Sequence, residues 1–589
     1  IMEDGMAKTK TEPWFYLNDY RGKDFAGEWP TFPEMLKIQT SRYPDRPYFV
    51  DFDGPNGSKN VLTYAQVFDK VQNLAKWMIA NGLEKGDKVV VSGKNAPEWG
   101  VVYLAALYAS GIIVPIDAAL HEKEMLNLLE VAKPKFIFVD DEKIAYINEK
   151  YPETPIFSLN SANAEKYVYN IKTDKEVEFN EPVKEDDTAA ILFTSGTTGN
   201  PKGVMLSHKN FISDGFIAQK NFNHYPTDVF YALLPIHHAY TMQAAFINPM
   251  LTGASIVFGK SMAVTRLLKE LREGKITVML GVPLLYNKLL AGIRKGIKEK
   301  GAFVSGLLNG LCNFSYFLKR YLHINIGKLI FKPVLQKASI YTLRVAISGG
   351  GPLAASVFKQ YNGMGIDFIQ GYGLTETSPI LTLNPVDKFK IHSVGQAFFP
   401  YMDVKIINKD VKSHRKVERQ IGEIVVKGPM VMQGYYNMPE ETAAIFTEDG
   451  YLKTGDLGWM DKDHYVMLCG RAKNLIVTSG GKNVYPEEIE DAFQLCDDIQ
   501  QITVQGYIDN EETKSEAIEA LIYPSDALYE RLGLTRDTVA QEEVLKAIQM
   551  DVNKVNKTLQ PYSIITKITI LDEPLAMTTT QKVKRNYKK

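Results

Sequence analysis

Six short, mostly apolar runs constrain this chain more than any other feature. They are Lys88-Val89-Val90-Val91, Ile112-Ile113-Val114, Phe136-Ile137-Phe138-Val139, Ala254-Ser255-Ile256-Val257, Thr277-Val278-Met279-Leu280 and Arg344-Val345-Ala346-Ile347. None alternates polar with apolar residues, so each asks to be covered on both faces, as strands of a buried parallel sheet are. Helical patterns stand between them. From Leu62 to Gly82, Val67, Val71, Leu74, Ala75 and Met78 recur at three- and four-residue spacing, with Gly82 where a C-cap belongs, and a second helical stretch follows Pro97. Strand, helix, strand, repeated, predicts a large α/β body.

At roughly 150 residues per domain, a chain of 589 residues holds about four domain-sized units. Hydrophobic residues at 45% and charged residues at 23% exclude a disordered, collagen-like or membrane-spanning chain. Lys and Arg number 68 against 69 Asp and Glu, so no overall charge draws the whole surface to nucleic acid or anionic lipid, and no nucleic-acid partner is expected. The longest apolar stretch, Val101–Ile116, is broken by Gly111 and Pro115 and is shorter than the roughly 20 residues a spanning helix needs. Three scattered cysteines (Cys312, Cys469, Cys496) suit a reducing compartment rather than a disulfide framework. The opening Ile1-Met2-Glu3-Asp4 has acids and no apolar core, so no secretory signal and a cytoplasmic location are expected.

Two segments interrupt the rhythm. Asp174–Asp187 reads as a charged connector, and Lys409–Gln420 as an exposed hairpin tip between strand-like runs Asp403–Ile407 and Glu423–Val426 of a β-rich section. After Gly470 the periodicity restarts as a compact α/β piece, with Pro486-Glu487-Glu488-Ile489 opening a helix as the N-terminal dipole prefers. The expected division is 1–470 and 471–589.

Four segments carry chemistry. The apolar strand Ala189–Phe193 runs into Thr194-Ser195-Gly196-Thr197-Thr198-Gly199-Asn200-Pro201-Lys202-Gly203, which has three glycines, four hydroxyls and one lysine. Glycines let backbone N–H groups approach an anion, hydroxyls donate further hydrogen bonds, and the lysine adds charge, which suits a polyphosphate as well as it suits a polar turn. It is not the P-loop NTPase pattern, because no Gly-Lys-Ser/Thr closes it. In Gln370-Gly371-Tyr372-Gly373-Leu374-Thr375-Glu376-Thr377-Ser378-Pro379, an aromatic face could stack on a base and Glu376 could hold Mg²⁺ together with phosphate oxygens, or the tyrosine could simply be core. Gly371-x-Gly373 lacks the third glycine of a dinucleotide fingerprint. Thr454-Gly455-Asp456-Leu457 and Gly470-Arg471-Ala472-Lys473-Asn474 could bind sugar hydroxyls or be structural turns.

In this order and approximate spacing the four segments resemble the adenylate-forming superfamily of acyl-CoA synthetases, adenylation domains and luciferases. The resemblance runs from Leu62-Thr63-Tyr64 through Gly86-Asp87-Lys88-Val89 to the C-terminus. It implies a large N-terminal body of parallel-sheet subdomains plus a β-rich subdomain, followed by a small mobile α+β domain. It also implies a two-step reaction: a carboxylate and ATP give acyl-adenylate and pyrophosphate, and a thiol, usually of coenzyme A, then takes the acyl group and releases AMP. The nucleotide set it implies is Thr194, Ser195, Gly196, Thr197, Thr198, Gly199, Lys202, Gly349, Gly350, Gly351, Gln370, Gly371, Tyr372, Gly373, Thr375, Glu376, Asp456, Arg471 and Lys582. Within it, Thr194 and Glu376 match the magnesium ligands, Tyr372 would stack on adenine opposite Gly349–Gly351, and Asp456 would hold the ribose with help from Arg471. His238, in Leu234-Pro235-Ile236-His237-His238, matches a position beside the incoming carboxylate, with His237 read as structural.

The resemblance assigns a catalytic lysine to the tail Met577-Thr578-Thr579-Thr580-Gln581-Lys582-Val583-Lys584-Arg585, and Lys582 matches it although Gln581 replaces the usual glycine. Lys473 falls at the family's hinge, and Ser479-Gly480-Gly481 at the loop that approaches the pantetheine thiol. The insertion Arg294–Ala338 resembles the long-chain fatty acyl-CoA synthetase branch. Leu307, Leu308, Leu311, Phe314, Phe317 and Leu318 recur there at helical spacing beside Lys319, Arg320, Lys328 and Lys332. Segment 305–335 could lie on a membrane surface or form a helical hairpin packed on the body. The expected substrates are therefore a long-chain fatty acid, ATP with Mg²⁺, and CoA. Medium-chain or aryl acids, an acyl carrier protein as acceptor, and a degenerate nucleotide-binding homologue are the alternatives.

Overall fold

The computed structural model describes residues 12–194, 201–351, 353–414, 417–478, 483–510, 515–536, 541–577, 583 and 585. The six apolar runs are strands, three of them lying one residue further along than the sequence predicts, at Ser255–Phe258, Val278–Gly281 and Val345–Ser348. They divide between two sheets. In the first, Lys88–Ser92 pairs in parallel with both Ile112–Pro115 and Phe136–Val139, and Thr188–Thr194 continues it in parallel beside Ile112–Pro115. In the second, Pro47–Asp51, Ser255–Phe258, Val229–Ala232, Val278–Gly281, Val345–Ser348 and Asp367–Gly373 run parallel in that spatial order.

Helix Pro97–Tyr108 explains how the sheets join. Every residue from Trp99 to Leu107 is buried, and a Cβ on Gly100 would lie within 3.0 Å of the rings of Phe49 and Phe246. A helix apolar all round has to be enclosed. This one connects two strands of the first sheet in sequence while packing on Phe49 of the second. Helix Tyr64–Ala80 is amphipathic instead, burying Tyr64, Val67, Val71, Leu74, Ala75 and Met78. A capping box fixes its start: the Thr63 N–H donates to Gln66 Oε1 at 2.9 Å and the Gln66 N–H to Thr63 Oγ1 at 3.3 Å.

Strand Asp367–Gly373 belongs to two ladders. Its first half pairs in parallel with Val345–Ser348, its second half antiparallel with Ile380–Leu383, which leads into a β-rich section. That section extends one sequence expectation. The hairpin expected around Lys409–Gln420 is present and its strands are longer than the apolar runs predict: Asp403–His414 and Val417–Lys427 pair as far as His414↔Val417. A ladder needs only backbone N–H and C=O groups, so a charged run at the end of a sheet does not forbid it.

Beyond Gly470, strands Ile499–Asn510, Ser515–Pro524 and Lys567–Ile570 form a small mixed sheet. Ile476, Val484, Ile489, Val504, Ile518, Ile522, Ile548 and Val552 make a core of their own beneath it. The expected helix is present as Pro486–Asp491, with Glu487 and Glu488 in its first turn. No described helix is long and apolar enough to cross a membrane.

Candidate functional site

The site gathers where the two ladders of Asp367–Gly373 meet. Gly373 turns the chain there, and a Cβ in its place would lie 1.6 Å from the Pro379 carbonyl oxygen, so only glycine fits. The 3-10 turn Thr375–Thr377 follows and presents Glu376. Tyr435 donates its hydroxyl to Glu376 Oε1 at 2.9 Å, and the Met432 N–H donates to the Glu376 carbonyl at 2.9 Å, fixing both ends of the residue. Burial first, and then the Glu376 charge, hold the Tyr435 phenol protonated far above its ordinary range.

The glycine- and hydroxyl-rich segment reaches the same place by a different route. Thr194 ends its strand opposite Lys202 in the antiparallel ladder, with Oγ1 3.5 Å from the Lys202 carbonyl oxygen. Strand Lys202–Ser207 pairs in turn with Gly434–Tyr435, and the Lys202 ammonium lies 4.8 Å above the Tyr435 ring. Tyr435 therefore joins Lys202 to Glu376. Ser195, Gly196, Thr197, Thr198 and Gly199 lie outside the described residues.

A second triad sits on the β-rich side. Tyr372 donates its hydroxyl to Asp456 Oδ2 at 2.7 Å, and Arg471 Nε lies 3.1 Å from Asp456 Oδ1. Asp456 and Arg471 are also paired across their ladder, so the backbone sets the ion pair. The carboxylate is buried and the guanidinium half-exposed, which leaves the arginine free to meet a ligand from solvent. Burial and the neighbouring Asp456 raise the Tyr372 phenol well above its usual value, keeping it a donor. Leu374, Glu376, Ile445, Lys453, Thr454 and Arg471 line one cavity of about 100 Å³, which connects the two clusters.

Gly349 and Gly350 follow strand Val345–Ser348. A Cβ on Gly349 would meet the Tyr240 ring at 2.9 Å, and Gly350 has φ +77°, so close packing and backbone conformation account for the two glycines. Gly351 follows them, half-buried. Tyr240 in turn donates to the Ile347 carbonyl at 3.1 Å. His238 occupies the position just before the short helix Ala239–Thr241, its ring tilted against that of His237 at 4.2 Å between centroids. His237 Nε2 is 3.6 Å from Asp117 Oδ2, and one ligand atom from each of Asp117, His237 and His238 lies within 4.8 Å of the others. Gln370 is buried in its strand, and Gly371 and Thr375 flank Tyr372 and Glu376.

Lys473 lies in the 3-10 turn Ala472–Asn474. Partial desolvation and then the nearby Arg471 charge hold its ammonium below the ordinary range. Across this junction the Ala354 N–H donates to Gln494 Oε1 at 2.6 Å. Farther along, Arg585 is bound to Glu490 at 2.6 Å and Glu487 at 3.6 Å. Ser479, Gly480, Gly481 and Lys582 lie outside the described residues.

Tyr435, Tyr240, Lys453 and Asp117 were not singled out by the sequence. Tyr435 reaches Glu376 from 59 positions away through a two-residue strand, which leaves no local pattern to read.

A family model described as AMP-binding enzyme matches residues 36–436. A long-chain-fatty-acid–CoA ligase of Bacillus subtilis is 27% identical, over 87% of this chain and 89% of its own. A chloroplastic long-chain-fatty-acid–acyl-carrier-protein ligase of Arabidopsis thaliana is 26% identical, over 95% and 85%. Among solved structures, ATP-bound MatB from Rhodopseudomonas palustris superposes with a TM-score of 0.71 at 25% identity, covering 94% of this chain and 97% of its own.

Proposed function

The chain belongs to the AMP-binding enzyme family, and from that premise we propose that it activates a long-chain fatty acid with ATP and passes the acyl group to coenzyme A. A carboxylate oxygen of the acid attacks the α-phosphorus, and the bond to pyrophosphate breaks. The thiol sulfur then attacks the acyl carbonyl carbon, loses its proton and expels AMP. Carboxylate is a poor electrophile and the mixed anhydride a good one, so the first step is what makes the second accessible. Positioning and charge stabilisation supply most of the acceleration.

The observation that carries this reading is the meeting of Glu376, Thr454 and Arg471 on one cavity, with the Tyr372–Asp456 pair beside it. In the proposal Arg471 and Asp456 hold the ribose, Tyr372 stacks on adenine against Gly349–Gly351, and Thr194, Lys202 and residues 195–199 hold the phosphates. The donors available at Glu376 and Thr194 are oxygens, a carboxylate fixed by Tyr435 and a hydroxyl, which fits a hard cation such as Mg²⁺. When bound there, Mg²⁺ would neutralise phosphate charge. His238 borders the carboxylate of the acid, and Lys582 stabilises that carboxylate and the α-phosphate during adenylation. Residues 471–589 turn about Lys473 between the two half-reactions and bring Ser479, Gly480 and Gly481 to the pantetheine arm.

Relatives named for a CoA acceptor and for a carrier-protein acceptor match this chain about equally well, so the test uses both. Thioester formation is to be measured over acids from butyrate through stearate and benzoate. The highest kcat/KM is expected with palmitate-length acids and CoA. A maximum at short or aryl acids would overturn the substrate assignment, and thioester formed only on carrier protein would overturn the acceptor.

A further inference from the structure

Helix Ala302–Leu322 is turned inside out. Its buried residues are Cys312, Ser315 and Lys319, which are small or charged. The Lys319 ammonium is bound within the body to Asp367 at 2.8 Å, Asn362 Oδ1 at 2.9 Å and the Ile366 carbonyl at 2.9 Å. That corrects its place in the basic surface expected from the sequence. Small residues are needed on this side because the helix passes backbone-close to helix Ala355–Gly363: a Cβ on Gly363 would meet the Cys312 carbonyl oxygen and Sγ at 2.6 Å. Leu308 and Leu311 pack at the edge of that contact.

The opposite side carries the large apolar residues. Phe303 is 84% exposed, Leu307 54%, Phe314 54%, Phe317 50% and Tyr321 64%. At about 100° per residue they fall within an arc of about 80°, one continuous stripe facing away from the body. Beyond the helix end, Leu329 is 80% exposed as well. Monomeric proteins seldom leave so long a contiguous apolar face to water, so the stripe has an occupant.

The charge around it identifies that occupant. Between Glu273 and Asp367 the chain has thirteen lysines and arginines and one carboxylate, Glu299. Lys295, Lys298 and Lys300 are exposed just before the helix, and Lys332 and Lys337 are exposed after it. We propose that the outward stripe of helix Ala302–Leu322 docks this protein on an anionic lipid bilayer, with the aromatic residues at the headgroup–acyl boundary and the flanking lysines on the headgroups. An apolar face rimmed by cations and almost free of carboxylates matches an anionic interface in both respects. A docked enzyme would meet a long-chain acid where that acid partitions, but the binding does not depend on which acid the active site takes.

Flotation of the full chain with large unilamellar vesicles tests this. Vesicles of phosphatidylcholine with phosphatidylglycerol should carry the protein and pure phosphatidylcholine far less, with binding weakening as salt rises. The double substitution Phe314→Ser/Phe317→Ser should weaken binding by about tenfold or more while leaving the melting temperature unchanged. A separate Phe303→Ser variant should weaken binding less and guards against a folding defect in the first. Failure of the wild type to float with phosphatidylglycerol, or equal flotation of the double variant, overturns the proposal. So does a wild-type dimer in sedimentation velocity that the double variant dissolves while neither protein binds vesicles, which would give the face to a second copy.

Discussion

Helices Tyr64–Ala80 and Ala302–Leu322 are written with the same three- and four-residue apolar spacing, yet the body uses them in opposite senses. The first buries its stripe of Val67, Val71, Leu74 and Met78. The second buries Cys312, Ser315 and Lys319 and leaves its aromatic stripe outside. Periodicity shows that a helix has an apolar face but does not say which way the face turns. What decides here is the neighbour: close passage of helix Ala355–Gly363 admits only small side chains and one lysine with a waiting carboxylate.

Substitutions on the two helices can break this contrast. The largest effect is expected from Leu74→Ala, which should cost about 2–5 kcal/mol of unfolding free energy in denaturant titration through lost burial and a cavity. A cost near that of a surface change would mean that stripe is not core. Lys319→Ala should come next, at about 2–3 kcal/mol, because it leaves Asp367 without its partner; Asp367 is 24% exposed, and that partial contact with water keeps the loss below that of a fully buried pair. If Lys319→Ala were neutral, the inward side of the helix would be misassigned. Phe314→Ser should be smallest, within about 0.5 kcal/mol, as for an exposed site. A large loss there would show that the aromatic stripe packs on something within the chain.

Much of the body was legible because fully buried strands must be apolar on both faces, and the six runs could hardly be anything else. What was missed follows from the same physics. The hairpin runs on through Asp410–His414 and Val417–Gln420, paired by backbone groups that the charged side chains do not announce. Lys319 looks like a surface lysine because its partners Asn362, Ile366 and Asp367 come from over forty residues away. At the site, Tyr372, Glu376, Asp456 and Arg471 were each nameable from glycine-flanked motifs, and the structure brings them to one place. The Tyr435 hydroxyl that fixes Glu376, and the Tyr240 ring beneath Gly349, arise from long-range packing and have no local signature.

ATP–pyrophosphate exchange driven by palmitate tests the central claim most directly, with wild type measured beside Glu376→Gln. The account predicts exchange that requires both the acid and Mg²⁺ and falls by about 10²–10³ in the variant, the scale expected when a charge-stabilising group is removed. Wild-type protein that catalyses no acid-dependent exchange, or a variant that exchanges at the wild-type rate, would contradict it.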